Sequence, residues 1–299
     1  MNQKQVVTSL TIMTTLKEPD MRRPVIHLVA LGIVLASTVS SPARAVAQWI
    51  KYPTAGVPTT SDGKPDLSAP APQAADGKPD FSGIWMAGNT NCARGGNSIA
   101  LNCGAELPMG REGINFGVNL PGGLPYQPWL ADLVKRRTAE NAKEDPHIRC
   151  LPDTFLRAYS LPHLLKFVQT PGLLVMLNEM NAGYRQVFID GRPLPADPTP
   201  SWQGYSTATW QGDTLVITSR GFRDDIWIDW NGSVITEAAT VIERIRRPDY
   251  GHLEIEVTVD DPKAYTKPWT VRLRQQIALN TELVDEVCLE NEKFAARVK

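Results

Sequence analysis

Three charged side chains open the question of chemistry: Glu179, Arg185 and Glu243. Each falls in a segment that alternates apolar and polar residues with period two, and each shares a face with apolar neighbours. Arg185 lies on the face of Val187 and Ile189, Glu243 on that of Val241 and Ile245, and Glu179 closes the face of Leu173, Val175 and Leu177. Strand period alone places these charges inside, where a charge is tolerable only if paired and hydrogen-bonded. Two carboxylates beside an arginine make an acid/base set or a polar anchor for a ligand, and they also make a structural ion pair. Both roles are open to these residues.

The second chemical hint is aromatic. Trp202, Trp210, Trp227, Trp230 and Trp269 fall in the C-terminal half with Tyr184, Tyr205, Tyr250 and Tyr265. The run from Phe222 to Trp230 mixes acids and indoles between strands. Aromatic walls with a few polar groups suit a small-molecule site, and the candidate ligand residues are Trp210, Trp227, Asp229, Arg192, Tyr205 and Arg244. Packing is the competing role for such tryptophans.

Other chemistries find little support. The chain carries no phosphate-cradling glycine loop, dinucleotide fingerprint or His-Glu-x-x-His. Gly204 to Ala208 (GYSTA) approaches an esterase elbow but lacks the last glycine and continues as a strand. No cofactor and no metal are expected: there is no Cys-x-x-Cys, and beyond residue 47 the only histidines are His147, His163 and His252.

Residues 21–47 compose an export signal. Arg22 and Arg23 precede an apolar run from Val25 to Val39, and Ala43–Ala45 and Ala45–Ala47 are both small-x-small cleavage sites. Met21 is then the expected start, residues 1–47 are removed, and the product is periplasmic or secreted. The run is too short for a stable membrane span. The 299-residue chain has a net charge of −1; losing residues 1–47 leaves 26 basic against 30 acidic groups, a charge of −4. No nucleic-acid partner is expected from that balance. Export also changes the meaning of Cys92, Cys103, Cys150 and Cys288: an even count in an oxidising compartment favours disulfides. Cys92–Cys103 closes a short loop, and Cys150–Cys288 ties mid-chain to end.

The elements that must hold these residues read as mainly β. Residues 48–79 form a Pro/Gly-rich arm with a short repeat, DGKPDLS at Asp62–Ser68 and DGKPDFS at Asp76–Ser82. Residues 80–299 form one β-rich domain. Its first strand covers Phe81–Trp85, a long Gly/Asn/Pro-rich excursion spans 88–125, and one helix covers 128–141. Strands follow at 164–169, 173–179, 184–189, 205–210, 214–220, 240–246, 253–260, 269–277 and 283–288. No helices alternate with them. A succession of antiparallel strands hides its edges in a lipocalin-like barrel or a curved sandwich.

Several of these segments together resemble a large family of secreted bacterial proteins. They are Asp76–Trp85 (DGKPDFSGIW), Asp190–Arg192 (DGR), Trp210–Leu215 (WQGDTL), Glu243-Arg244 and Asp260–Trp269 (DDPKAYTKPW). The resemblance covers nearly all of the chain after the signal, and it implies export and one β-rich domain but no particular activity. This chain departs from the family pattern where histidines are common: it has Leu194 after Asp-Gly-Arg-Pro, Tyr205 before Ser206, and no histidine near Ile235. It also has Gln211 where the family often has an acid. The leading expectation is an exported protein that binds a partly apolar small molecule in a barrel-like pocket. The alternative is a cofactor-independent hydrolase, lyase or isomerase using Glu179, Arg185 and Glu243.

Overall fold

The computed structural model describes residues 52–87, 109–110, 113–114, 116–117, 120–161, 163–284 and 286. They belong to one compact unit, Lys51–Lys299. The expected export signal, most of the excursion after β1, and Cys92, Cys103 and Cys288 lie outside the described residues.

The strands are β1 (Gly83–Ala87), β2 (Met109–Gly110), β3 (Gly113–Ile114), β4 (Leu164–Thr170), β5 (Leu173–Asn178), β6 (Tyr184–Phe188), β7 (Tyr205–Gln211), β8 (Thr214–Arg220), β9 (Ile226–Trp227), β10 (Val234–Ile235), β11 (Thr240–Asp249), β12 (His252–Asp260) and β13 (Trp269–Ile277). Nine of them close a lipocalin-like barrel in the order β1-β13-β12-β11-β8-β7-β6-β5-β4. The two-residue strands form two small ladders, β2–β3 and β9–β10. Closure depends on β1, which pairs β13 on one side (Trp85 opposite Ile277) and β4 on the other (Trp85 opposite Leu165). The expected strand at 283–288 does not form among its described residues.

The barrel wall alternates as its sequence does. In β12, Leu253, Ile255, Val257 and Val259 point inward and are buried, while Glu254 and Glu256 face outward to Arg246 and Arg272. One step departs from the antiparallel expectation: β6 and β7 are parallel, joined only at Val187–Ser206 and Phe188–Thr207. The cause is the Pro-rich connection 189–204, long enough to bring the chain back before the next strand begins.

Two helical segments pack on the wall, and the second reaches its inward-facing residues. Helix α1 (Pro128–Ala139) starts on Pro128, whose missing N–H suits a first turn, and buries Leu130, Val134 and Arg137. A short 3-10 turn at Pro146–Arg149 leads to α2 (Phe155–Ala158), whose residues are all buried, as are Tyr159 and Ser160 after it. Gln275 of β13 donates to the Tyr159 carbonyl at 2.7 Å and fixes this segment against the wall.

Both copies of the arm repeat fold alike. Thr60 N–H donates to Lys64 O, Gly63 to Thr60 and Asp66 to Pro58; fourteen positions on, Ala74 donates to Lys78, Gly77 to Ala74 and Asp80 to Pro72. Gly63 and Gly77 hold φ of +79° and +77°, the left-handed conformation that glycine adopts without strain. The arm lies on the barrel: Tyr250 N–H donates to Ala69 O and Gly251 N–H to Leu67 O, both at 2.8 Å.

Candidate functional site

The inward charges of β6 and β11 meet. Arg185 Nη2 donates to Glu243 Oε2 at 2.5 Å and Nη1 to Oε1 at 3.1 Å. Tyr159 donates its hydroxyl to the same Oε1 at 2.7 Å. Ser206 and Ser219 Oγ accept from Arg185 at 3.1 and 2.9 Å, and Phe155 lies under the guanidinium at 3.5 Å. Arg185 is 3% exposed and Glu243 0%, so water cannot compensate for a lost partner. Burial alone would push the Arg185 pKa down, but the Glu243 carboxylate outweighs it and the net direction is upward. Burial, reinforced by Glu243, pushes the Tyr159 hydroxyl well above its ordinary value. The set is a satisfied ion pair that pins α2 to the wall.

Glu179 does not join this pair. The inner face of β5 is Leu174, Met176 and Asn178, one residue out of step with Leu173, Val175 and Leu177. The strand ends at Asn178, and Glu179 turns into helical backbone at φ −67°. Its carboxylate accepts from Leu164 N–H at 2.9 Å and Val284 N–H at 3.0 Å, and its carbonyl accepts from Glu286 N–H. It staples the start of β4 to the chain after β13.

The aromatic candidates divide. Arg192, Tyr205 and Phe188 cluster: Arg192 lies over Phe188 at 3.9 Å, Tyr205 stacks on Phe188 at 5.2 Å, and Asp190 holds the guanidinium. Trp227 is buried in the β9–β10 ladder beneath Arg137. Asp229 closes the following turn by accepting from Asn231 and Ser233 N–H groups, and burial raises its pKa. Trp210 packs on Phe81, and Arg244 faces outward to Gln211, opposite in parity to Glu243. The six therefore do not build one site.

Two of the cavities among the described residues hold candidate or histidine side chains. At the β6–β7 seam a cleft of about 560 Å³ is lined by Tyr184, Gln186, Phe188, Trp202, Gln203 and Tyr205, with Arg185 and Ser206 at its floor. Tyr184 is 63% exposed there. A second cavity of about 460 Å³ is lined by residues of the α1 end, the 3-10 turn and α2, with His163 and Asn231. It brings two of the three histidines beyond residue 47 together. Sequence reasoning passed over that cavity, although Asp145, His147, Asp153 and Arg157 crowd one short stretch.

Cys150, the one described cysteine, is not a free thiol. Among the described residues no His, Cys, Asp and Glu group of three is arranged to hold a metal ion. No described helix is long and apolar enough to cross a membrane. No family model, curated protein or solved structure matches the chain.

Proposed function

We propose that this is an exported small-molecule binding protein that takes a flat, partly apolar ligand in the β6–β7 cleft rather than along the barrel axis. The observation that carries the reading is the seam itself. Two residue pairs join β6 to β7, and the gap in the wall is faced with Tyr184, Trp202, Phe188 and Tyr205. Aromatic faces supply apolar contact, and Gln186 supplies a polar group of the kind such a site needs. The barrel axis is a poorer host, because α2, Tyr159 and the Arg185–Glu243 pair occupy it.

Export belongs to the same reading, with cleavage after Ala45 or Ala47 and disulfides Cys92–Cys103 and Cys150–Cys288. N-terminal sequencing of secreted material and mapping of the linked peptides test both. Binding is tested by titrating planar aromatic compounds while following tryptophan emission. The expected result is saturable quenching that is lost in Trp202→Phe and weakened in Tyr184→Ala. Quenching unchanged in Trp202→Phe, or no saturable response across the set, removes the cleft as the site.

A further inference from the structure

The outer wall of the barrel carries charge that neither cavity uses. Outward residues of β11, β12 and β13 stand in register across three strands: Arg244, Glu256 and Arg272 in one row, Arg246, Glu254 and Arg274 in the next. All six line a groove of about 320 Å³. A column of two carboxylates thus runs between two columns of guanidiniums, which stand roughly 10 Å apart at two strand spacings. Four guanidiniums against two carboxylates leave the groove at +2, on a chain whose net charge is −1.

The excess is placed on particular atoms. Glu254 Oε2 accepts from Arg246 at 2.7 Å, and its Oε1 is 3.7 Å from Arg274. Glu256 Oε2 accepts from Arg272 Nε at 3.0 Å. Arg244 is opposite Glu256 in register, but its Nη1 donates to the neutral amide oxygen of Gln211 at 3.1 Å. Arg244 has no carboxylate partner among the described residues. The Arg272 side chain is 74% exposed and is held through Nε, which leaves its two terminal nitrogens to donate outward.

We propose that this face binds an acidic polysaccharide, a chain of uronate sugars lying across β11–β13. Arg244 and Arg272 take sugar carboxylates through their terminal nitrogens, the planar geometry in which a guanidinium pairs well. Sugar hydroxyls donate to Glu254 and Glu256 between the arginine columns. That carboxylate column selects the class. A nucleic acid or an anionic lipid surface would press phosphates against it, and like charges in contact are repelled. An acidic peptide finds no strand edge to extend, because β8, β11, β12 and β13 are each paired on both sides. A uronate chain offers anions to the arginines and donors to the glutamates.

The test is calorimetric titration of the full chain with polygalacturonate at low and high salt. The expected result is saturable binding that weakens as salt rises. Arg244→Gln and Arg272→Gln each lose about 10-fold in affinity, the scale of one charge-assisted hydrogen bond. Methyl-esterified polygalacturonate keeps the hydroxyls without the charge and does not bind. Polyglutamate keeps the charge without the hydroxyls and binds about 10-fold more weakly, the same scale. Arg136→Gln, which removes an exposed arginine of α1, binds as wild type does. No binding of polygalacturonate, or an affinity unchanged in the Arg244→Gln, Arg272→Gln double variant, overturns the proposal. So do polyglutamate or duplex DNA binding as tightly as polygalacturonate, and an equal loss in Arg136→Gln, which would mark a response to net charge alone. Trp202→Phe keeps the full affinity, so this outcome is separable from failure of the β6–β7 cleft.

Discussion

Single side chains carry unequal consequences in this barrel. Removing one partner of a buried ion pair strands the other, at a cost of about 3–5 kcal/mol. Glu243→Ala is therefore expected to lower unfolding stability by that amount in urea, with Arg185 left against Tyr159 and two serines. A loss under about 1 kcal/mol would mean that the pair is solvated or replaceable. His147 makes a pH-dependent contribution. The Asp153 hydrogen bond raises its folded pKa above the ordinary 6.5. A raised pKa stabilises the fold below the unfolded value, and that contribution fades as pH rises through the folded one. Between pH 5 and 8, wild-type Tm should fall with pH relative to His147→Gln; a rise would refute the assignment. Arg185 and Glu243 were legible because period two is strict in β6 and β11. Glu179 was not, because its apolar companions lie on the outer, half-buried face of β5. The histidine cavity is built from the end of α1, the 3-10 turn, α2 and the turn between β9 and β10, and no single periodicity links those.

At the level of elements, the arm is a clamp that depends on one close approach. A Cβ on Gly251 would sit 2.6 Å from Leu67 Cβ and 2.9 Å from Leu67 O. Gly251→Ala should therefore lift the arm from the β11–β12 turn and leave the barrel closed. Limited proteolysis would then cut within residues 52–79 much faster than in wild type, with β-sheet circular dichroism unchanged. Equal cleavage rates would show that the arm is held elsewhere. Most strand positions followed from alternation and turn residues, as at Trp210–Leu215, where Gly212 takes φ +61° between β7 and β8. The parallel β6–β7 step did not, because a Pro-rich connection gives its length but not the side of the sheet on which it returns.

For the whole molecule, closure joins distant chain. β1 is one stave between β4 and β13, so its loss would open the wall on both sides. A chain starting at Asp80 should keep the β spectrum and cooperative unfolding, whereas one starting at Thr90 should lose cooperativity. If the shorter chain unfolds as sharply as the longer, β1 is not needed for closure. The fold class was legible because nothing helical alternates with the strands and the edges must be hidden. The segment that reaches the inward-facing residues of the wall was not, since α2 is four residues long and carries no helical period. The same closure brings the two ends of the described chain together: Thr54 N–H donates to Asn280 Oδ1 and Asn280 N–H to Thr54 Oγ1. The connectivity is thus close to a ring already, interrupted at one place and thinly sewn at another. A circular permutant should exploit this. A linker of about 10 residues from Glu286 to Tyr52, with new termini in the 191–200 loop, would keep every antiparallel pairing and turn the weakest seam of the barrel into its beginning and end.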